Sequence, residues 1–421
     1  MLSLQEMAGA SRIGPGKPEP PCRGRFLNNR HLFVKSQTYI GVFSMAVYLD
    51  CNATAPLEPQ IGEIVRTFLV EEFGNEGSRT HEFGARAKQA VQKARDQVAT
   101  LVGGSRDEVL FTSGATEANN LAILGLADHG LAAERRHLVT TAIEHKAVLE
   151  PLQELARRGF ELSVVPAQGD GTVCPRAVIS AIRADTLLVS VMAANNETGA
   201  RQPIGAIADA LKGKEIFFHT DAAQAFGKDL DALRHPRIDL ISISGHKIYG
   251  PKGIGALVTR RQGYAKPPLK PLMYGGGQER GLRPGTLPVA LVAGLGMAAE
   301  MAGKQAAARR TKCKAIKAKA LEAFMPLGPR IHGPEGDTQD HVLNIAFPGL
   351  DSEALMVALK GEVAVSNGSA CTSSSYTPSH VLKAMGLTDD EANEAVRFSW
   401  CHLTPEVDWL RLADRIRELM S

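Results

Sequence analysis

From Val47 onward, short apolar runs bounded by turn residues alternate with longer stretches of helical periodicity. Glu108-Val-Leu-Phe-Thr112, Leu187-Leu-Val-Ser-Val-Met192, Ile216-Phe-Phe-His219 and Leu240-Ile-Ser-Ile-Ser244 read as buried strands, each too short and too β-branched or aromatic for a helix. Residues 85–102, 117–126, 148–158 and 204–211 carry the helical spacing between them. Strand and helix in alternation predict an α/β fold, with a mainly parallel, mixed sheet covered by helices on both faces. Ligands on such a sheet bind outside the carboxyl ends of its strands. A stretch rich in Ala, Lys and Met, from about 289 to 324, reads as one or two helices leading into a smaller C-terminal α+β domain.

The length of 421 residues exceeds what one hydrophobic core usually serves, which also predicts two domains. The expected division is a large domain at 56–300 and a small domain built from 45–55 and 301–421. Residues 1–44 lack periodicity, and Ile13-Gly-Pro-Gly-Lys-Pro-Glu-Pro-Pro-Cys22 reads as a disordered extension upstream of Met45.

Charge and cysteines narrow the function. The formal net charge is +3, so charge gives no reason to expect direct nucleic-acid or membrane binding. No apolar run approaches the roughly 18 residues of a membrane span. The six cysteines (Cys22, Cys51, Cys174, Cys313, Cys371 and Cys401) form no C-x-x-C pair. That spacing supports neither a zinc site nor a disulfide framework, and it suits a reducing, cytoplasmic setting.

Four motifs fall at expected strand ends. Phe111-Thr-Ser-Gly-Ala-Thr-Glu117 runs from a strand into a helix, whose N-terminus has free N–H groups suited to a phosphate; an ordinary capped turn would look the same. In Phe217-Phe-His-Thr-Asp221-Ala-Ala-Gln224 a carboxylate comes directly after an apolar strand. It either caps the next helix or pairs with a cationic heterocycle nitrogen, worth about 4 kcal/mol at 4 Å and an effective dielectric near 20, before desolvation. Ser244-Gly-His-Lys247 places a lysine between a buried strand and a Gly-rich turn, where a desolvated amine captures an aldehyde readily. Val365-Ser-Asn-Gly-Ser-Ala-Cys371-Thr-Ser-Ser-Ser375 sets one thiol among small hydroxyl residues, the composition of an exposed loop rather than of a core cysteine.

Together with Glu144-His145-Lys146 and Asn195-Asn196-Glu197, these motifs resemble the cysteine desulfurase family over residues 47–415. The family belongs to the class V aminotransferases of pyridoxal-phosphate fold type I, and the cysteine motif is similar to its group with a long, mobile loop. The resemblance implies pyridoxal 5'-phosphate as cofactor, L-cysteine as substrate and a homodimer. Lys247 would form the Schiff base, Asp221 would pair with the ring nitrogen, and Gln224 would donate to the ring oxygen. His145 would stack on the ring. Ala115, Thr116, Ser244 and His246 would form the phosphate cup, with Thr286 added by the neighbouring subunit. Asn75, Asn196 and Arg397 would hold the substrate carboxylate, and Asn196 would also touch the cofactor. Cys371 would take the sulfur as a persulfide, leaving alanine, and pass it to a protein acceptor.

Two positions depart from the family pattern. Asn75-Glu76-Gly77-Ser78 stands where Asn-Pro-Ala/Ser-Ser is frequent, and Cys51 where Asn or Tyr is frequent. These departures tilt the expected acceptor from an Fe–S scaffold or a tRNA-thiolation protein toward a specialised system such as DNA phosphorothioation. Competing readings are a selenocysteine lyase or other class V lyase, a nucleotide-binding NTPase and a binding module without catalysis. The NTPase lacks a G-x-x-x-x-G-K-[ST] run.

Overall fold

The computed structural model describes residues 46–368 and 378–421. The expected N-terminal extension, 1–44, lies outside the described residues. Strands are numbered in chain order. β1 (Val47–Tyr48) comes first; β2 (Val109–Thr112), β3 (His137–Thr141), β4 (Glu161–Val165), β5 (Thr186–Ser190), β6 (Phe217–Asp221), β7 (Leu240–Ser244) and β8 (Gly255–Thr259) come next. β9 (Arg330–His332), β10 (Val342–Ala346), β11 (Val363–Ala364) and β12 (Ala395–Ser399) complete the set.

β2 to β8 form one seven-stranded sheet in the order β2-β8-β7-β6-β5-β3-β4. Every pairing from β7 to β4 is parallel, and β8 runs antiparallel to both of its neighbours. The sheet is therefore mixed and mainly parallel, as the alternating pattern predicts. Its strand order reverses at β3, which has β4 on one side and β5 on the other. This is the switch point beside which a crevice opens at the carboxyl ends.

Side-chain alternation explains why both faces are covered. Leu110, Leu138, Leu188 and Leu257 pack into one core with the helices Ala115–Leu124 and Lys146–Arg157. Their strand neighbours Val109, Val139, Val189 and Val258 pack into the core on the other face. A period of two thus sends leucines to one layer and β-branched residues to the other.

The expected helical stretch is one helix of 36 residues, Val289–Phe324. Ala, Lys, Met, Glu and Leu favour its continuation, and Pro326 lies just beyond its end. Its first half packs on the helices Pro59–Val70 and Glu82–Val102. A Cβ at Gly296 would fall 2.6 Å from Ala94 Cα, so only glycine permits this approach. Its last turns enter a separate core with the antiparallel sheet β12-β10-β9. There Phe324 packs its ring against Phe347, Phe398 and Trp409.

The interior of the large sheet carries polar groups that burial keeps neutral. His219 on β6 lies between Ser190 Oγ (2.8 Å) and Ser242 Oγ (2.9 Å), and burial lowers its pKa to about 4. Glu144, just after β3, is fully buried; its Oε1 accepts from Thr141 Oγ1 at 2.8 Å and from Met192 N at 2.7 Å. Burial pushes its carboxyl up to about 8.

Truncating Phe324 to Ala should lower the unfolding free energy by about 3–5 kcal/mol in urea melts, because three aromatic partners face the cavity left behind. A loss below about 1 kcal/mol would contradict this packing. Glu144 makes a second, pH-dependent prediction. Its proton is held in the fold but released by the unfolded chain between about 4.5 and about 8, so it should reduce stability as pH rises through that window. Glu144→Gln should flatten the stability–pH curve there by an amount on the order of 3 kcal/mol. Parallel curves for the two proteins would exclude a protonated Glu144.

Candidate active site

Five strands of one direction and the start of the antiparallel β8 deliver their flanking residues to one cavity of about 610 Å³. It is lined by Ser113, Gly114, Ala115 and Thr116 after β2, His145 after β3, and Asn196 after β5. Asp221 ends β6, and Ser244, His246 and Lys247 lie at and beyond the end of β7. Gln224, Asn119, Lys252 and Arg397 complete much of the wall, and Asn52, Ala53 and Thr54 come from the segment after β1.

The anion-binding end is built from backbone. The helix Ala115–Leu124 starts at Gly114, and its first N–H groups have no partner one turn earlier. A Cβ added at Gly114 would meet nothing within 4 Å, so the space ahead of this helix is open. A Cβ at Gly255 would fall 2.6 Å from Gly114 Cα; glycine there lets β8 pass directly behind the turn. His246 Nδ1 lies 3.1 Å from Thr54 Oγ1. Burial first, then the charges of Lys247, Lys252 and Lys228, lower its pKa to about 4. The ring is thus neutral at pH 7, and with the Thr54 hydroxyl donating to Nδ1 it presents an Nε2–H donor.

The opposite end carries charge. Asp221 is 5% exposed; its Oδ2 accepts from Asn119 Nδ2 at 2.7 Å and its Oδ1 from Ala223 N at 2.8 Å. Turns rather than a helix follow β6, so Asp221 caps no helix; it closes a local turn and lines the cavity. Lys247 Nζ donates to the carbonyls of Asn52 and Ala53, the latter at 2.8 Å. Gln224 Nε2 donates to the same Asn52 carbonyl at 3.1 Å. His145 Nδ1 accepts from Ala147 N at 3.1 Å, which leaves the proton of a neutral ring on Nε2.

Arg397 on β12 is 3% exposed. Its Nη2 donates to Asp50 Oδ1 at 2.7 Å and its Nη1 to Asn196 O at 3.0 Å, while its buried Nε has no hydrogen-bond partner among the described residues. A buried guanidinium with donor capacity left over suits a carboxylate. The whole donor set fits a planar ring bearing an aldehyde, a phosphate and a protonated nitrogen: an amine, a carboxylate, an amide and an uncharged anion cup. Pyridoxal 5'-phosphate is such a group.

Two expected residues are not brought to this cavity. Asn75 is exposed, and its Oδ1 accepts from Gly77 N at 2.9 Å, closing its own turn. Thr286 is exposed as well and does not line the cavity of its own chain. Cys371 lies outside the described residues, but the segments on either side of it meet one buried carboxylate. Ser379 Oγ donates to Glu197 Oε2, and a Cβ at Gly368 would fall 3.0 Å from the same oxygen.

Sequence reasoning passed over Asn119, Asn52, Lys252 and Glu197. Asn119 had a signal, since it lies three residues after Thr116 and therefore on the same side of the helix, amid apolar neighbours. Asn52 had none, because its partners Asn196, Gln224 and Lys247 lie more than 140 positions away.

Known proteins share this arrangement of sequence and fold. The aminotransferase class-V family matches residues 47–411. A Drosophila melanogaster protein named "Cysteine desulfurase, mitochondrial" is 42% identical over 385 residues, spanning 89% of this chain and 82% of that protein. The crystal structure of DndA from Streptomyces lividans superposes with a TM-score of 0.74 at 45% identity, covering 82% of this chain and 97% of that one. The structure of SspA in complex with cysteine gives 0.73 at 36% identity, covering 86% and 100% respectively. The chain belongs to the class-V aminotransferases and, within them, to the cysteine desulfurase family.

Proposed function

We propose that this protein is a pyridoxal-phosphate-dependent cysteine desulfurase that converts L-cysteine to L-alanine and keeps the sulfur as a persulfide on Cys371. The observation that carries the reading is the meeting of an amine, a carboxylate and an under-used guanidinium (Lys247, Asp221 and Arg397) in one cavity at the strand ends. Bound pyridoxal 5'-phosphate supplies an aldehyde for amine capture and an electron-withdrawing ring that labilises the bonds of the attached amino acid.

The residues divide the work. The N–H groups of Ala115 and Thr116, the hydroxyls of Thr116 and Ser244, and His246 hold the phosphate. Asp221, its carboxylate fixed by Asn119, would hold a proton on the ring nitrogen, and Gln224 would donate to the ring oxygen. Arg397 receives the carboxylate of cysteine beside Asn196. Lys247, steered by the two carbonyls it touches, holds or takes a proton at the substrate α-carbon, and His145 exchanges protons from the neighbouring wall. The Cys371 thiolate attacks the substrate sulfur. An S–S bond forms, the C–S bond breaks with its electron pair left on carbon, and a proton delivered there completes alanine.

The reading extends to a homodimer. The side chains of Leu69, Val70, Phe73 and Tyr274 are exposed apolar surface, and an exposed Thr286 is free to serve the cup of a second copy. It also keeps the two-domain division into 56–300 and 45–55 with 301–421, supported by the separate core in which Leu49 joins Phe324 and Trp400. A near-balanced charge favours a protein as sulfur acceptor over nucleic acid.

Lys247→Ala should lose the yellow absorbance of the lysine-linked cofactor and slow alanine formation by about 10²–10⁴-fold. A variant that kept both band and turnover would refute the lysine assignment. Cys371→Ser should keep the cofactor band yet form no persulfide from cysteine. Undiminished sulfur transfer in that variant would point to a lyase that needs no thiol, as a selenocysteine lyase does not.

A further inference from the structure

Two buried cysteines outside this machinery form a pair. The segment after β1 runs alongside the end of β12: Asp50 bridges Ser399 in parallel, Cys51 N donates to Ser399 O at 3.0 Å, and Asn52 N donates to Ser399 Oγ at 2.9 Å. The side chains of Cys51 and Cys401 meet in one buried cluster with Ala55 and Tyr249. Cys401 is steadied by its own turn, its N–H donating to Thr404 Oγ1 at 2.9 Å and that hydroxyl reaching back to Cys401 Sγ at 3.8 Å.

We propose that Cys51 and Cys401 are a redox-active dithiol whose disulfide, formed with a peroxide as oxidant, ties the 50–54 segment to the turn after β12. The pair is unequal: contact with the Cys51 thiol holds the Cys401 sulfur below the ordinary thiol range, while contact with that sulfur and burial push Cys51 up. Thr404 Oγ1 also donates to Cys401 Sγ at 3.8 Å, so Cys401 is the sulfur that attacks the peroxide. An S–O bond forms, the O–O bond breaks, and hydroxide leaves. The Cys51 sulfur then attacks the oxidised Cys401 sulfur; an S–S bond forms, the S–O bond breaks, and water leaves with the proton of Cys51. Two thiols and one hydrogen peroxide become one disulfide and two waters.

The tie acts on the cavity because of what its neighbours do. Asn52, next in the chain to Cys51, offers the carbonyl that receives Lys247 Nζ and Gln224 Nε2. Asp50, on the other side, holds Arg397. Joining the two sulfurs covalently shifts the support of all three side chains.

The test uses full-length Cys371→Ser protein loaded with pyridoxal 5'-phosphate, so that the sulfur-accepting thiol cannot contribute. After hydrogen peroxide, alkylation under denaturing conditions and digestion, mass spectrometry should find a Cys51–Cys401 linked peptide two hydrogens lighter than its parts. Dithiothreitol should abolish it, and Cys174 and Cys313 should be alkylated. Complete alkylation of both cysteines, or a link from either one to Cys313, would overturn the proposal. The visible absorbance of the bound cofactor at fixed pH supplies a second readout. It should change on oxidation, recover with dithiothreitol, and stay constant when Cys401→Ser is added. Unchanged absorbance alongside a formed disulfide would overturn the connection to Lys247.

Discussion

A carboxylate at the buried end of a central strand is the constraint around which this molecule is arranged. Asp221 closes β6 in the middle of the large sheet, where an unpaired charge would cost several kcal/mol. The chain answers with the Asn119 amide from one helix, the Ala223 N–H from its own turn, and a cavity on its open side. Other buried titratable groups nearby meet the same cost by giving up charge. Glu144 keeps its proton, while His219 and His246 do without theirs. The charges retained around the cavity are those with chemistry to perform.

The floor of the cavity is supplied from a distance. Residues 50–54 belong to the start of the described chain, yet they lie between β12 and the Ser244–Lys247 turn. Through them the C-terminal sheet, which carries Arg397, is joined to Lys247 and Gln224. Glu197 makes a similar join, receiving Ser379 from one flank of the cysteine segment and crowding Gly368 on the other. These polar contacts add to an apolar one, since Val381, Leu382, Met385 and Ala395 pack into the core of the large sheet.

Much of this was legible in the chain alone. Local propensity and periodicity depend on neighbours a few positions away, so the strands ending at Thr112, Asp221 and Ser244, the helix Val289–Phe324 and the motif around Lys247 could be read directly. Residue chemistry at strand ends likewise marked Asp221, Lys247 and His246, and the family resemblance added His145 and Arg397. Three-dimensional closure decided the rest. It turned Asn75 into its own turn, away from the cavity, and it recruited Asn119, Asn52 and Glu197. It also set Cys51 against Cys401, 350 residues along the chain. Such pairings leave no periodic trace, because they arise only when strand order and register bring distant backbones side by side.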